Sequence, residues 1–208
     1  MEWFSTLSLG LGSAWTSGIN LYATVAMLGL IEKFGLAKLP GGLDALNNWW
    51  IIGVALGLYV LEFFADKIPY VDSVWDVIHT FIRIPAGAVV AYGATNQLDP
   101  SIYVTAFLLG GGLATAAHGS KAALRVGANF SPEPVTNWLL SFSEDGIAIV
   151  GVILAVFAPM AIAVVLGLFL IIFVWFAPKV LRALRRMFRA VIGFFRGESF
   201  AEVAKKAG

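Results

Sequence analysis

The chain contains no cysteine, which excludes a disulfide framework, a thiolate metal site and a cysteine nucleophile. Charge is also scarce. Only 13% of the residues are Asp, Glu, Lys or Arg, against roughly a quarter in an ordinary soluble domain. Histidine occurs twice, as His79 and His118, so any imidazole chemistry runs through one of these two. No basic segment or small-residue cleavage site accompanies the first apolar run, so no removable signal peptide is expected. A Gly-rich phosphate loop, HExxH, GxSxG and zinc-finger spacing are missing as well. What fills the 208 residues is oil: 59% are hydrophobic and the mean hydropathy is +0.84. This is the composition of an integral membrane protein whose main partner is the lipid bilayer.

The expected fold is all-α, with about six apolar segments. Residues 11–31 are long enough, at about 1.5 Å per residue, to cross a hydrocarbon core of about 30 Å. Ser13, Thr16, Ser17, Asn20 and Thr24 form a polar stripe along this segment. The stripe serves either hydrogen-bonded helix packing or the wall of a polar cavity, and Asn20 is its candidate site residue. A loop over 32–48 contains Pro40-Gly41-Gly42, and Trp49-Trp50 then open a second segment as an interfacial pair would. Residues 71–83 and 85–95 are each too short to span but together suffice, which predicts one discontinuous helix broken at Pro85, with a re-entrant hairpin as the alternative. After a turn at 96–100, a fourth segment passes a predicted weak point at Gly110-Gly111-Gly112 and ends with His118, Lys121 and Arg125. Residues 129–134, with Pro132 and Pro134, form a bend. Beyond it stand Asn137, Ser141 and Glu144, then Asp145-Gly146, an apolar run to Ala158, and a last span over 160–177.

Ionisable groups concentrate in residues 62–83. Asp72, Asp76, His79 and Arg83 sit at i, i+4, i+7 and i+11 and so stack on one helical face, leaving the lipid face to Val74, Trp75 and Ile78. A charge near the bilayer centre costs on the order of 3 kcal/mol unless it is paired or hydrated, so this density marks a site. The candidate ion- or substrate-binding set is Asn20, Glu62, Asp66, Lys67, Asp72, Asp76, His79, Arg83, His118, Lys121, Arg125, Asn129, Asn137, Ser141, Glu144 and Asp145. Asp72, Asp76 and His79 are also ordinary ligands for a divalent cation, the one cofactor the set suggests. The bland alternatives are an ion-pair scaffold, snorkelling of Lys121 and Arg125 to the interface, and Glu144-Asp145 capping a helix that begins at Gly146. From Glu62 to Asp145 eight acids face four Lys or Arg, a surplus that favours cations or protons over anions.

Pro69, Asp72, Asp76 and His79 match Pro134, Asn137, Ser141 and Glu144 at one constant offset. This predicts an internal pseudo-twofold repeat, with units about 49–95 and 101–158 in a membrane domain of residues 1–178, each built on a proline-broken polar helix. Such paired interrupted segments point to a midplane binding site. Residues 179–208 carry eight Lys or Arg against Glu198 and Glu202, a charge of +6 that leaves −5 on the rest of the chain. The tail is read as a basic amphipathic helix on anionic lipid, not as a nucleic-acid binder, and it places the C-terminus in the cytoplasm.

The strings SGINLYATVAMLGL, EFFADKIPYVDSVWDVIHTFIR and NFSPEPVTNWLLSFSED resemble a bacterial family of small multipass membrane proteins known only as a domain of unknown function (4126). The resemblance covers nearly all of the chain to about Pro159. It implies a bacterial inner-membrane location and transfers no activity. Three functions stay open: a small polytopic transporter or channel for a cation or a proton-driven solute; an intramembrane lipid enzyme using Asp72, Asp76 and His79; and a non-catalytic assembly or lipid-binding protein. A homo-oligomer is compatible with each.

Overall fold

The computed structural model describes residues 2–68, 71–129 and 134–195. These form seven α-helices and a short 3-10 turn, with no strand among them: α1 (Glu2–Ile19), α2 (Leu21–Lys33), the turn (Gly41–Leu46), α3 (Trp49–Ala65), α4 (Val71–Thr95), α5 (Pro100–Asn129), α6 (Pro134–Phe157) and α7 (Pro159–Phe195). Four stretches are long and apolar enough to cross a membrane, namely Val74–Thr95, Pro100–Ala128, Val135–Phe157 and Pro159–Arg182, and Trp49–Ala65 is a shorter apolar helix. The chain divides into two compact units, residues 1–166 and 167–208.

In the first unit α1 is the central element. It is buried from Ser8 to Ile19 apart from Leu11 and packs against α4, α5 and α6. Small residues permit this. A Cβ on Gly18 would lie 2.8 Å from Ala117 Cβ and 2.9 Å from Ala114 Cα, so α1 and α5 approach at a point where only glycine fits. Ser13, Thr16 and Ser17 are buried here, and both Thr16 Oγ1 and Ser17 Oγ donate to the Ser13 carbonyl. That part of the polar stripe serves helix packing.

The first apolar segment is interrupted where no break was expected. Asn20 adopts an extended conformation (φ −143, ψ 101) and caps α2, its Oδ1 accepting from Ala23 N at 2.9 Å. Asparagine is a strong N-cap, and here it acts inside a hydrophobic run. The opposite correction applies to Pro85. The helix runs through it, and α4 is continuous over 25 residues. Proline removes one N–H and crowds the carbonyl four residues back, but buried Ala88, Ala91 and Ala94 pack this half of α4 against its neighbours and hold it straight enough to remain one helix. The Gly110–Gly112 run is no weak point either, because α5 is unbroken through it. Likewise α6 is continuous across Asp145-Gly146, so no helix begins there for Glu144-Asp145 to cap.

The loop ends follow sequence rules. Asn48 caps α3 by accepting from Trp50 N at 2.8 Å, leaving Trp49 and Trp50 exposed. Asp99 caps α5, accepting from Ser101 Oγ at 2.6 Å and Ser101 N at 2.9 Å, and these bonds hold its carboxyl below its ordinary pKa. In the second unit Leu170, Ile171, Val174 and Trp175 are exposed and Lys179 lies over the Trp175 ring. α7 carries on through Pro178. The basic residues after Phe195 lie outside the described residues.

Candidate functional site

The end of α3, the first half of α4, the second half of α5 and the first half of α6 bring their ionisable residues to one place. On α4 Asp72, Asp76, His79 and Arg83 are buried, while Val71, Val74, Val77, Ile78 and Phe81 are exposed; Trp75, expected on the lipid face, is instead half-buried and stacks on His79. Glu62 and Asp66 come from α3 and its C-cap, Lys121 and Arg125 from α5, and Glu144 and Asp145 from α6. All of these are buried.

Lys121 is the hub. Its ammonium lies 3.0 Å from Asp66, 3.3 Å from Glu62, 3.4 Å from Glu144 and 3.6 Å from Asp76. One cation thus gathers carboxylates from α3, α4 and α6. Arg83, fully buried, pairs closely with Glu62 and reaches Asp76 Oδ1 at 3.2 Å. Arg125 holds Glu144 with two parallel bonds, Nε to Oε1 at 3.1 Å and Nη2 to Oε2 at 2.5 Å. It also reaches Asp66 Oδ2 at 3.0 Å and the Asp66 backbone carbonyl at 2.6 Å, and approaches Asp72 at 3.7 Å. Such fork geometry is what guanidinium supplies and ammonium does not. Glu62 Oε2, Asp66 Oδ1 and Asp76 Oδ2 are buried without a hydrogen-bond partner among the described residues.

The histidines stand at the edges in fixed tautomers. His118 Nδ1 lies 3.2 Å from Arg83 Nη1 and therefore accepts, since guanidinium only donates. Its Nε2 is 2.8 Å from Thr80 Oγ1, whose single proton goes to the Asp76 backbone carbonyl, so Nε2–H donates to the hydroxyl. His79 Nδ1 lies 2.7 Å from the Trp75 carbonyl and so donates, while Nε2 meets the Tyr22 hydroxyl at 2.8 Å. His79 also stacks on the Trp75 ring. With both nitrogens engaged, His79 is not placed with Asp72 and Asp76 as a metal ligand, and among the described residues no three His, Asp or Glu side chains gather in an arrangement that holds a metal ion.

The other predicted residues take distinct places. Asn20 Nδ2 donates to Asp145 Oδ1 at 2.9 Å, tying the helix break to α6 across 125 residues of sequence. Ser141 receives a bond from Lys67 at 3.2 Å, and Asn137 is buried on the same face of α6. The side chain of Asn129 lies outside the described residues. Sequence reasoning missed Tyr22 and Thr80, the partners of the two histidines. Thr80 lies next to His79 in a polar run, so its position was a usable signal; Tyr22 was not findable without the break at Asn20.

Among the described residues the arrangement is a buried ionic layer of six carboxyl groups and four Lys or Arg side chains, counting Lys67, with both histidines hydrogen-bonded at its edges. Carboxyl groups outnumber Lys and Arg side chains there by two. A family model described as a domain of unknown function (DUF4126) matches residues 7–179. No curated protein and no solved structure matches the chain.

Proposed function

The chain belongs to that uncharacterised family, whose membership assigns no chemistry, and from the buried layer itself we propose a small polytopic transporter or channel for a monovalent cation, proton-coupled or carrying protons. The observation that supports this reading is the charge balance at depth. Six carboxylates and four cations are withdrawn from water on helices whose outer faces are apolar. A structural ion-pair network gains most when its charges cancel, because each uncompensated buried charge costs several kcal/mol. An excess of two carboxylates is the arrangement that attracts cations. On this reading Glu62, Asp66, Asp76 and Glu144 are the binding groups, and Arg83, Lys121 and Arg125 set their charge and position.

The broken pair α1–α2 is read as one crossing and α3 as another, making six, with α3–α4 and α5–α6 as the paired hairpins of the repeat. The break at Asn20, buried and bonded to the ionic layer, is the kind of interrupted helix found at transporter binding sites. The lipid-enzyme alternative receives less support, since it needs His79 free for acid–base or metal work and His79 is held by Tyr22 and Trp75.

The experiment is flux in proteoliposomes loaded with a pH-sensitive dye, under imposed Na+, K+ or Li+ gradients and, separately, a valinomycin-driven potential. The protein should dissipate or build a proton or cation gradient beyond empty vesicles; equality with empty vesicles in every condition overturns the proposal. The location proposed is the bacterial inner membrane with the basic tail in the cytoplasm. A periplasm-active phosphatase fused after Gly208 should therefore be inactive and a fluorescent protein at the same place bright; the reverse pattern refutes the orientation.

A further inference from the structure

Lys67 stands apart from the other buried cations. The ion pairs within 4 Å among the described residues of the layer all involve Arg83, Lys121 or Arg125. Lys67, in the turn after α3, instead donates to the Phe63 carbonyl at 3.0 Å and to Ser141 Oγ at 3.2 Å. Its ammonium lies 3.0 Å from the Phe63 ring centroid and 4.6 Å from that of Phe142. A hydroxyl, a carbonyl oxygen and two aromatic faces together make a box for a monovalent cation, and the protein's own ammonium occupies it.

Asp145 shows the complementary pattern. Its carboxylate takes the Asn20 amide and has no Lys or Arg within 4 Å among the described residues. Ser141 and Asp145 are four residues apart on α6, hence neighbours on one face about 6 Å apart. An ammonium held by Ser141 Oγ is therefore one helical turn from a carboxylate that lacks a cation, within reach of the four-carbon lysine stem. A full charge pair at low dielectric is stronger than a contact with an aromatic face. Lys67 has two places to be, and the carboxylate excess makes the inner one attractive whenever no other cation is present.

We infer that Lys67 is an exchangeable counter-ion, alternating between the Phe63–Phe142 box and Asp145 and competing through its charge with the monovalent cation that the ionic layer takes up. The inference rests on the layer being a cation site. With a cation bound, the excess negative charge is offset and Lys67 stays in the box; when the cation leaves, the ammonium moves inward and keeps Asp145 paired. Lys67 thereby sets affinity without touching the transported ion.

The test measures binding of Na+, K+ and Li+ to the purified full chain by calorimetry and by shift of the melting midpoint, with N-methylglucamine chloride holding ionic strength constant. Lys67→Met removes the competitor and should tighten binding about tenfold. Phe142→Leu weakens the box, biases the ammonium inward and should loosen binding about threefold, the effect of one cation–π contact. Lys67→Gln, which keeps a donor for Ser141, is the second variant should Lys67→Met fold poorly. Opposite signs in the two positions support the exchange, because a static lysine predicts tightening at Lys67→Met from the deeper carboxylate excess and no change at Phe142→Leu, an outcome that overturns it. Shifts of the same sign, or none, overturn it while the parent's own binding leaves the cation-site reading standing. A parent that moves protons yet binds none of the three ions also overturns it alone. A parent with neither flux nor binding removes both.

Discussion

Lys121→Met should lower the stability of the membrane unit by about 3–5 kcal/mol, the range for leaving buried charges without their partner. Methionine is close to lysine in length and suits an apolar site, so what is lost is the ammonium, with its charge and its bonds to Glu62 and Asp66. Without it Glu62, Asp66, Asp76 and Glu144, now gathered within 3.6 Å of one ammonium, repel one another, and the excess of acid over base grows from two to three. Arg83 and Arg125 already serve the same carboxylates. Lys121→Arg restores the charge in a shape too large for the hub and should fall between the two. Melting in detergent, followed by size-exclusion chromatography of heated samples, reads the effect. A Lys121→Met protein that melts with the parent would show that the hub carries no net stabilisation.

Asp76→Asn should give the reverse profile, with the fold kept and flux abolished. The amide has the size of the carboxylate and its oxygen still accepts from Arg83 Nη1, now at 3.2 Å. Removing one of the surplus negative charges relieves self-repulsion, so the melting midpoint should stay level or rise. The variant nonetheless loses one of the oxygens that a cation would use, and Oδ2 is one of four carboxylate oxygens of the layer that lack a hydrogen-bond partner among the described residues. Flux in proteoliposomes should therefore fall at least tenfold, about 1.4 kcal/mol in the rate-limiting step. Retained flux in a well-folded variant would take Asp76 out of the site. Together the two substitutions separate the scaffold from the site, the first being read in melting and the second in flux.

The positions of the buried charges could be read from the sequence because charge is rare here and helical spacing is strict. Asp72, Asp76, His79 and Arg83 at i, i+4, i+7 and i+11 had to share a face, and the hydrophobic residues between them fixed which face was inward. Their pairing could not be read. That Lys121 and not Arg125 is the hub depends on how α5 packs against α1 and α4, where glycine and alanine contacts with no periodic signature set the approach. Backbone breaks were misjudged in both directions for one reason. Local propensity weighs proline and triple glycine heavily and a lone asparagine lightly, but inside a packed bundle neighbouring helices hold Pro85 and Gly110–Gly112 in line, while Asn20 has a cap to form and a carboxylate to meet.

The division of charge between the hairpins bears on the order in which the chain is assembled. Glu62, Asp66, Asp72 and Asp76 are synthesised with only Lys67 and Arg83 to offset them, and the first α5 cation to pair with Glu62 lies 59 residues later. The hairpin of α3 and α4 therefore leaves the ribosome with an acidic face that lipid alone would reject. Neutralisation of the first hairpin's acids is thus complete only once Lys121 and Arg125 have been translated.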